Sequence, residues 1–147
     1  MVYTPTVGWF CKNFSKLFRR PRVLYLTIED MGQIHNIIHN NPLQNIDAAI
    51  LSDGSKILSL GDWGIGSQPI VVGKKDLYVA AGGFDPWKVM PIVLDVGTNN
   101  KRLQNDPFYL GIKKERVTGE KYYEFMDEVV SAINSRYKNV FFHFEDI

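Results

Sequence analysis

Short apolar runs that alternate with helix-patterned segments constrain this chain more than any other feature. Val89–Val96 (VMPIVLDV) is a continuous apolar strand. Val23–Glu29 (VLYLTIE) and Asp47–Ser52 (DAAILS) are strand-like as well, and Asn139–Ile147 (NVFFHFEDI) reads as a buried strand that runs into two acids. Between them lie helical patterns. Tyr122, Phe125, Met126, Val129, Val130, Ile133 and Tyr137 mark an amphipathic helix, and Pro69–Gly83 (PIVVGKKDLYVAAGG) is a helical run entered from the glycine-rich Gly61–Gly66 (GDWGIG). Strands separated by helices specify an α/β fold, with helices packed on a largely parallel sheet.

The first segment is helical too. Thr4-Pro5 suits a cap followed by a first turn, and Val7, Phe10, Cys11, Phe14, Leu17 and Phe18 follow at helical spacing. Pro21 in Arg19-Arg20-Pro21-Arg22 is expected to end this helix, with the arginines at its negative end. Asp30 with Gln33 resembles a capping box opening a short helix through Ile34, Ile37 and Ile38. Asp53-Gly54 reads as a turn into Lys56–Leu60.

Bulk properties exclude several classes. The chain has 147 residues, of which 45% are hydrophobic and 22% charged, enough for one domain with a real core. A net charge of +1 gives no bulk electrostatic case for a nucleic-acid or acidic-membrane partner. The single cysteine, Cys11, excludes an internal disulfide and fits a reducing compartment, the cytoplasm or mitochondrial matrix. No apolar run reaches the ~18–20 residues of a membrane span, and Met1–Pro5 has no signal-peptide character.

Ligands of open parallel sheets sit beyond the carboxyl ends of the strands, where Asp95, Glu145 and Asp146 fall. Neighbouring strand residues point to opposite faces, so Glu145 and Asp146 converge on one ion only if the chain leaves strand geometry there. A solvated strand exit and a site for magnesium or manganese both fit the pair. Lys74 and its neighbours Lys75 and Asp76 fit a solvated helix face; Lys74 equally fits a base at a pocket edge. His35 and His39 read as surface residues, the Arg19–Arg22 cluster as a helix end, and Trp9, Trp63 and Trp87 as packing. Gly61–Gly66 lacks the spacing of a dinucleotide fingerprint.

Several motifs taken in order resemble a known family. VYTPTVG (Val2–Gly8), FRRPR (Phe18–Arg22), SDGSKILSLGDWGIG (Ser52–Gly66), VVGKKDLYVAAGG (Val71–Gly83), PIVLDVGTNN (Pro91–Asn100), NDPFYLG (Asn105–Gly111) and the terminal FEDI are similar to the N-terminal, substrate-binding portion of malic enzymes. The resemblance implies oxidative decarboxylation of (S)-malate to pyruvate and carbon dioxide, with NAD or NADP and Mg²⁺ or Mn²⁺. It implies Tyr3 as general acid, Lys74 as general base, Glu145 and Asp146 as metal ligands, and Lys56 where the family usually has a carboxylate-binding arginine. Residues 1–22 would be the end of a helical region and 23–147 an incomplete α/β malate-binding domain. The third metal ligand, a carboxylate paired with the lysine, and the NAD(P)-binding domain are expected after Ile147, and a helical region that feeds a homo-oligomer interface before Met1. The 147 residues alone are therefore expected to be inactive. The chain departs from the family at Lys56, at GSQPIVVGK (Gly66–Lys74) where GMGIPVGK is usual, and at FEDI in place of FEDF. A malolactic-type decarboxylase and a catalytically silent packing fragment are the other readings.

Overall fold

The computed structural model describes residues 3–17, 20 and 22–147. Its sheet contains β1 (Leu24–Thr27), β2 (Ala48–Ser52), β3 (Val89–Asp95) and β4 (Phe141–Phe144), in the order β1-β3-β2-β4. Every pairing is parallel, with Leu24 opposite Ile92, Leu51 opposite Ile92 from the other side, and Ala48 opposite Phe141. The central strands β2 and β3 are buried at every position, as their unbroken apolar sequences require.

Alternation along the strands divides the core into two layers. On one face Ala49, Leu51, Met90, Ile92 and Leu94 meet Ile34 and Ile38 of α2 (Ile34–His39) and Phe125, Val129 and Ile133 of α5 (Glu120–Arg136). On the other, Ala48, Ile50, Val89 and Val93 meet Val7 and Cys11 of α1 (Thr6–Asn13) and Ile70 and Val71 of α3 (Gln68–Gly82). A short helix, α4 (Lys101–Gln104), lies in the polar connection after β3, with Asn100 capping it through Arg102 N. Among the described residues no helix is long and apolar enough to cross a membrane.

Several local expectations are corrected. Helix α1 stops at Asn13, whose side chain donates to the Trp9 carbonyl, and a 3-10 turn (Phe14–Lys16) follows. The helix thus ends well before Pro21, which with Phe18 and Arg19 lies outside the described residues. Pro5 occupies the α1 cap position without a side-chain bond, so Thr4 caps nothing. The capping box forms between Thr27 and Asp30, around a 3-10 turn rather than around α2. The backbone N–H groups of Gly32 and Ile34 at the entry to α2 are satisfied instead by Glu128 of α5. Strand β4 is not buried: it is a sheet edge, with Phe141 53% and Phe144 50% exposed. Its residues pair with β2 alone, and among the described residues no strand covers its outer side. Trp63 packs in the core, but Trp9 and Trp87 are exposed. His35 and His39 are on the surface as expected.

Candidate active site

The strand alternation that sorts the core also aims the edge strand. His143 pairs with Ile50, whose side chain faces α1 and α3, so His143 and, two residues on, Glu145 face the same way. Phe142 packs on the opposite layer. Glu145 is buried, and its N–H donates to the Leu51 carbonyl as the last ladder bond. Asp146 then adopts a positive φ of 51°. The chain therefore leaves strand geometry at the position where two adjacent carboxylates must if they are to share a ligand.

Glu145 is a junction. Its Oε1 accepts the Tyr3 hydroxyl and lies 3.1 Å from Lys74 Nζ, while its Oε2 is 2.5 Å from His143 Nε2. The Lys74 ammonium sits 4.9 Å from the centre of the Tyr3 ring. Burial opposes the Glu145 charge, but the bonds from Tyr3, His143 and Lys74 outweigh it and hold the carboxyl below its usual range. Tyr3 is displaced strongly upward, first by burial and then by its bond to Glu145, so the phenol keeps its proton. Asp146, unlike Glu145, moves upward. Burial and the adjacent Glu145 charge raise it, against the Leu58 N–H that donates to its Oδ2 at 3.0 Å.

Lys56 is exposed on the loop after β2, and its charge favours the ionised form of Asp146. This loop is pinned from both ends. Ile57 is buried and Leu58 is tied to Asp146. Gly54, at φ 69°, lies so close to the Gly64 carbonyl that a Cβ would collide with it. Lys75 is half-buried rather than solvated; burial lowers it, with Arg22 adding repulsion against the pull of Asp76. Cys11 is a free, buried thiol, raised to about 12 mainly by burial. Asp95 is committed to structure: Tyr25 Oη, Gly97 N and Ile112 N all donate to it.

Sequence reasoning missed a second cluster at the same end of the sheet. Arg116 has 7% side-chain exposure, with Nε 2.9 Å from Asp62 Oδ2, Nη2 2.7 Å from the Asp53 carbonyl and Nη1 3.3 Å from Asp53 Oδ2. Asp62 also accepts from Thr98 Oγ1 and Asn99 N. Burial pushes Asp62 up, yet Arg116 and these bonds bring it below its usual range. The cluster ties the loops after β2 and β3 to the segment ahead of α5. No spacing rule pairs residues so far apart in sequence.

The oxygen donors of Glu145 and Asp146 fit a hard divalent cation in kind. Burial is the first cause of the Asp146 rise and the Glu145 charge a further one, and a cation held by both carboxylates would relieve that second part. Among the described residues no group of three or more His, Cys, Asp or Glu gathers around one point, so further ligands would be water, substrate or residues beyond those described.

The chain combines an open parallel α/β sheet with a tyrosine–lysine–carboxylate cluster just beyond β4, the end of such a sheet where ligands sit. The chain belongs to the malic enzyme family: the family model "Malic enzyme, N-terminal domain" matches residues 1–147. It is 47% identical over 146 residues to the NAD-dependent malic enzyme 1, mitochondrial, of Arabidopsis thaliana, covering 99% of this chain and 23% of that protein. The NAD-dependent malic enzyme 59 kDa isoform, mitochondrial, of Solanum tuberosum is 47% identical over 146 residues, covering 99% and 24%. An NAD-dependent malic enzyme of Escherichia coli is 44% identical over 146 residues, covering 99% and 26%. The chain thus spans about a quarter of the length of the curated relatives it matches.

Proposed function

We propose that this chain forms the malate-binding part of an NAD-dependent malic enzyme, which converts (S)-malate to pyruvate and carbon dioxide. The observation that carries the reading is the convergence of Tyr3, Lys74 and Glu145: the first and last are 142 positions apart yet hydrogen-bonded. The relatives are NAD-dependent malic enzymes by name, which supports NAD as the cofactor.

Lys74 is the base that takes the malate hydroxyl proton. Paired with Glu145, Lys74 is an ammonium with no lone pair, so the role requires it to leave Glu145 and release one proton to solvent before the neutral amine takes the hydroxyl proton. Tyr3 holds its proton and delivers it to the enolpyruvate carbon after carbon dioxide leaves. Lys56 supplies a positive charge for a substrate carboxylate, without the flat two-point grip of an arginine. Glu145 and Asp146 would hold Mg²⁺ or Mn²⁺. Bound there, the ion would polarise the substrate oxygen and favour enolate formation. The reading places the protein in the cytoplasm or mitochondrial matrix as a homo-oligomer with neither nucleic acid nor membrane as partner.

The test joins this chain to the remainder of the Escherichia coli relative and follows malate-dependent NADH formation. The account expects turnover that depends on Mg²⁺ or Mn²⁺ and falls sharply in Glu145→Gln. Lactate formation without net NADH would instead favour the malolactic reaction. Absence of both, in a folded chimera that binds NAD, would favour the silent packing fragment.

A further inference from the structure

Lys74 and Tyr78 are four residues apart on α3; His143 lies on β4, and Glu145, two residues on, is the first residue beyond it and keeps the ladder bond to Leu51. Four helical residues and two strand residues each advance about 6 Å, so two side chains of the helix can register with two of the strand. They do. Lys74 meets Glu145, and Tyr78 Oη lies 2.6 Å from His143 Nδ1. The Tyr78 and His143 rings are 5.7 Å apart and nearly perpendicular, at 83°. On its other side His143 Nε2 reaches Glu145 Oε2 at 2.5 Å.

The chemistry of the atoms fixes the direction of this chain. An ionised carboxylate only accepts, so the hydrogen must be on Nε2. A neutral ring then presents a lone pair at Nδ1, which takes the Tyr78 hydroxyl proton in a hydrogen bond. We propose that Tyr78 and His143 are a positioning pair for Glu145: Tyr78 selects the Nε2–H tautomer, and His143 holds Oε2 so that Oε1 stays turned toward Lys74 and Tyr3. The functional part of this inference rests on reading Glu145 as a metal ligand. Outer partners of this kind orient a ligand and set its affinity.

A merely structural role predicts something different. Tyr78 also packs against Phe84, with centroids 5.4 Å apart, and a packing role would register in stability alone. The test uses the chain labelled with ¹⁵N. The imidazole spectrum should show His143 as the single Nε2–H tautomer, and Tyr78→Phe should mix the tautomers while leaving distant amides unchanged. Mn²⁺ added to the chain should broaden the Glu145 and Asp146 amides. His143→Leu should weaken that effect by about 10–100-fold, and His143→Gln, whose amide can donate from a similar place, should recover most of it. An Nδ1–H tautomer, or Mn²⁺ affinity in His143→Leu within about twofold of the parent, would overturn the proposal. Should Mn²⁺ leave the Glu145 and Asp146 signals of the parent chain untouched, the metal reading fails. The tautomer and its response to Tyr78→Phe then decide separately whether the pair positions Glu145.

Discussion

Lys74, in the second turn of α3, ends 3.1 Å from Glu145, the first residue beyond β4. Neither residue is informative alone, since a helix lysine and a strand-end glutamate are ordinarily solvated. Their meeting is a consequence of topology. Strand β4 adds to the sheet beside β2, and its alternation turns Glu145 under the helix that covers β2 and β3.

The carboxylates at this end of the sheet make stability depend on pH in a defined sense. Asp62 and Glu145 both titrate below their unfolded values, so each stabilises the fold above the ordinary carboxylate pKa and loses that contribution as pH falls through its folded value. Asp146, which is raised, has the opposite sign and offsets part of the slope. Urea titrations between about pH 6 and pH 3 should show falling stability, and Asp62→Asn should flatten the dependence. A slope unchanged in Asp62→Asn would mean that Arg116 is not its partner in solution.

Breaking the buried cluster should cost more than any surface change. Arg116→Met leaves Asp53 and Asp62 facing each other without their cation. The expected loss is about 3–5 kcal/mol, as for other buried pairs deprived of one partner. Chemical denaturation measures it directly, and Lys101→Met, which removes an exposed pair, should leave stability little changed.

The contrast between core and edge aromatic residues gives a further check. Phe125 is fully buried beneath α5, and Phe125→Ala should destabilise by about 3–5 kcal/mol. Phe141, half-exposed on β4, should cost clearly less on truncation. Equal losses in thermal melts would indicate that the outer side of β4 is covered in solution.

These contrasts also mark the limits of sequence reasoning. The largely parallel sheet, though not its strand order, was legible because apolar runs such as Ala48–Ser52 and Val89–Asp95 are bounded by helical patterns. Phe141 and Phe144 misled because a β-propensity pattern does not say whether a strand is central or at an edge. Helix α1 ended early because the Asn13 side chain took the Trp9 carbonyl, a local competition that apolar spacing does not register. Tyr3, Lys74, Glu145 and Asp146 entered as candidates through family resemblance, and the fold brings Tyr3 and Lys74 onto Glu145. The physical signal at Lys74 and Glu145, a Lys-x-x-x-Tyr ending at Tyr78 on a helix against a His-x-Glu starting at His143 at a strand end, becomes meaningful only once the two elements are known to face each other. Arg116 carried no sequence signal, because its partners Asp53 and Asp62 are joined to it only by the tertiary fold.

Lys56 offers a substitution expected to improve function. In the chimera, Lys56→Arg should keep or lower the KM for malate, since a planar guanidinium can grip a carboxylate at two points. A large rise in KM would mean that position 56 does not accept a guanidinium as a grip for the malate carboxylate.

The central claim, that Lys74 is the base of a site assembled against Glu145, is tested most directly by steady-state kinetics of adjacent lysines. In the chimera Lys74→Ala should lower kcat by about 10²–10⁴-fold, with a smaller effect on malate binding. Lys75→Ala, about 100° further around the helix, should leave kcat nearly unchanged. Equal losses at the two positions, or full activity in Lys74→Ala, would contradict the account.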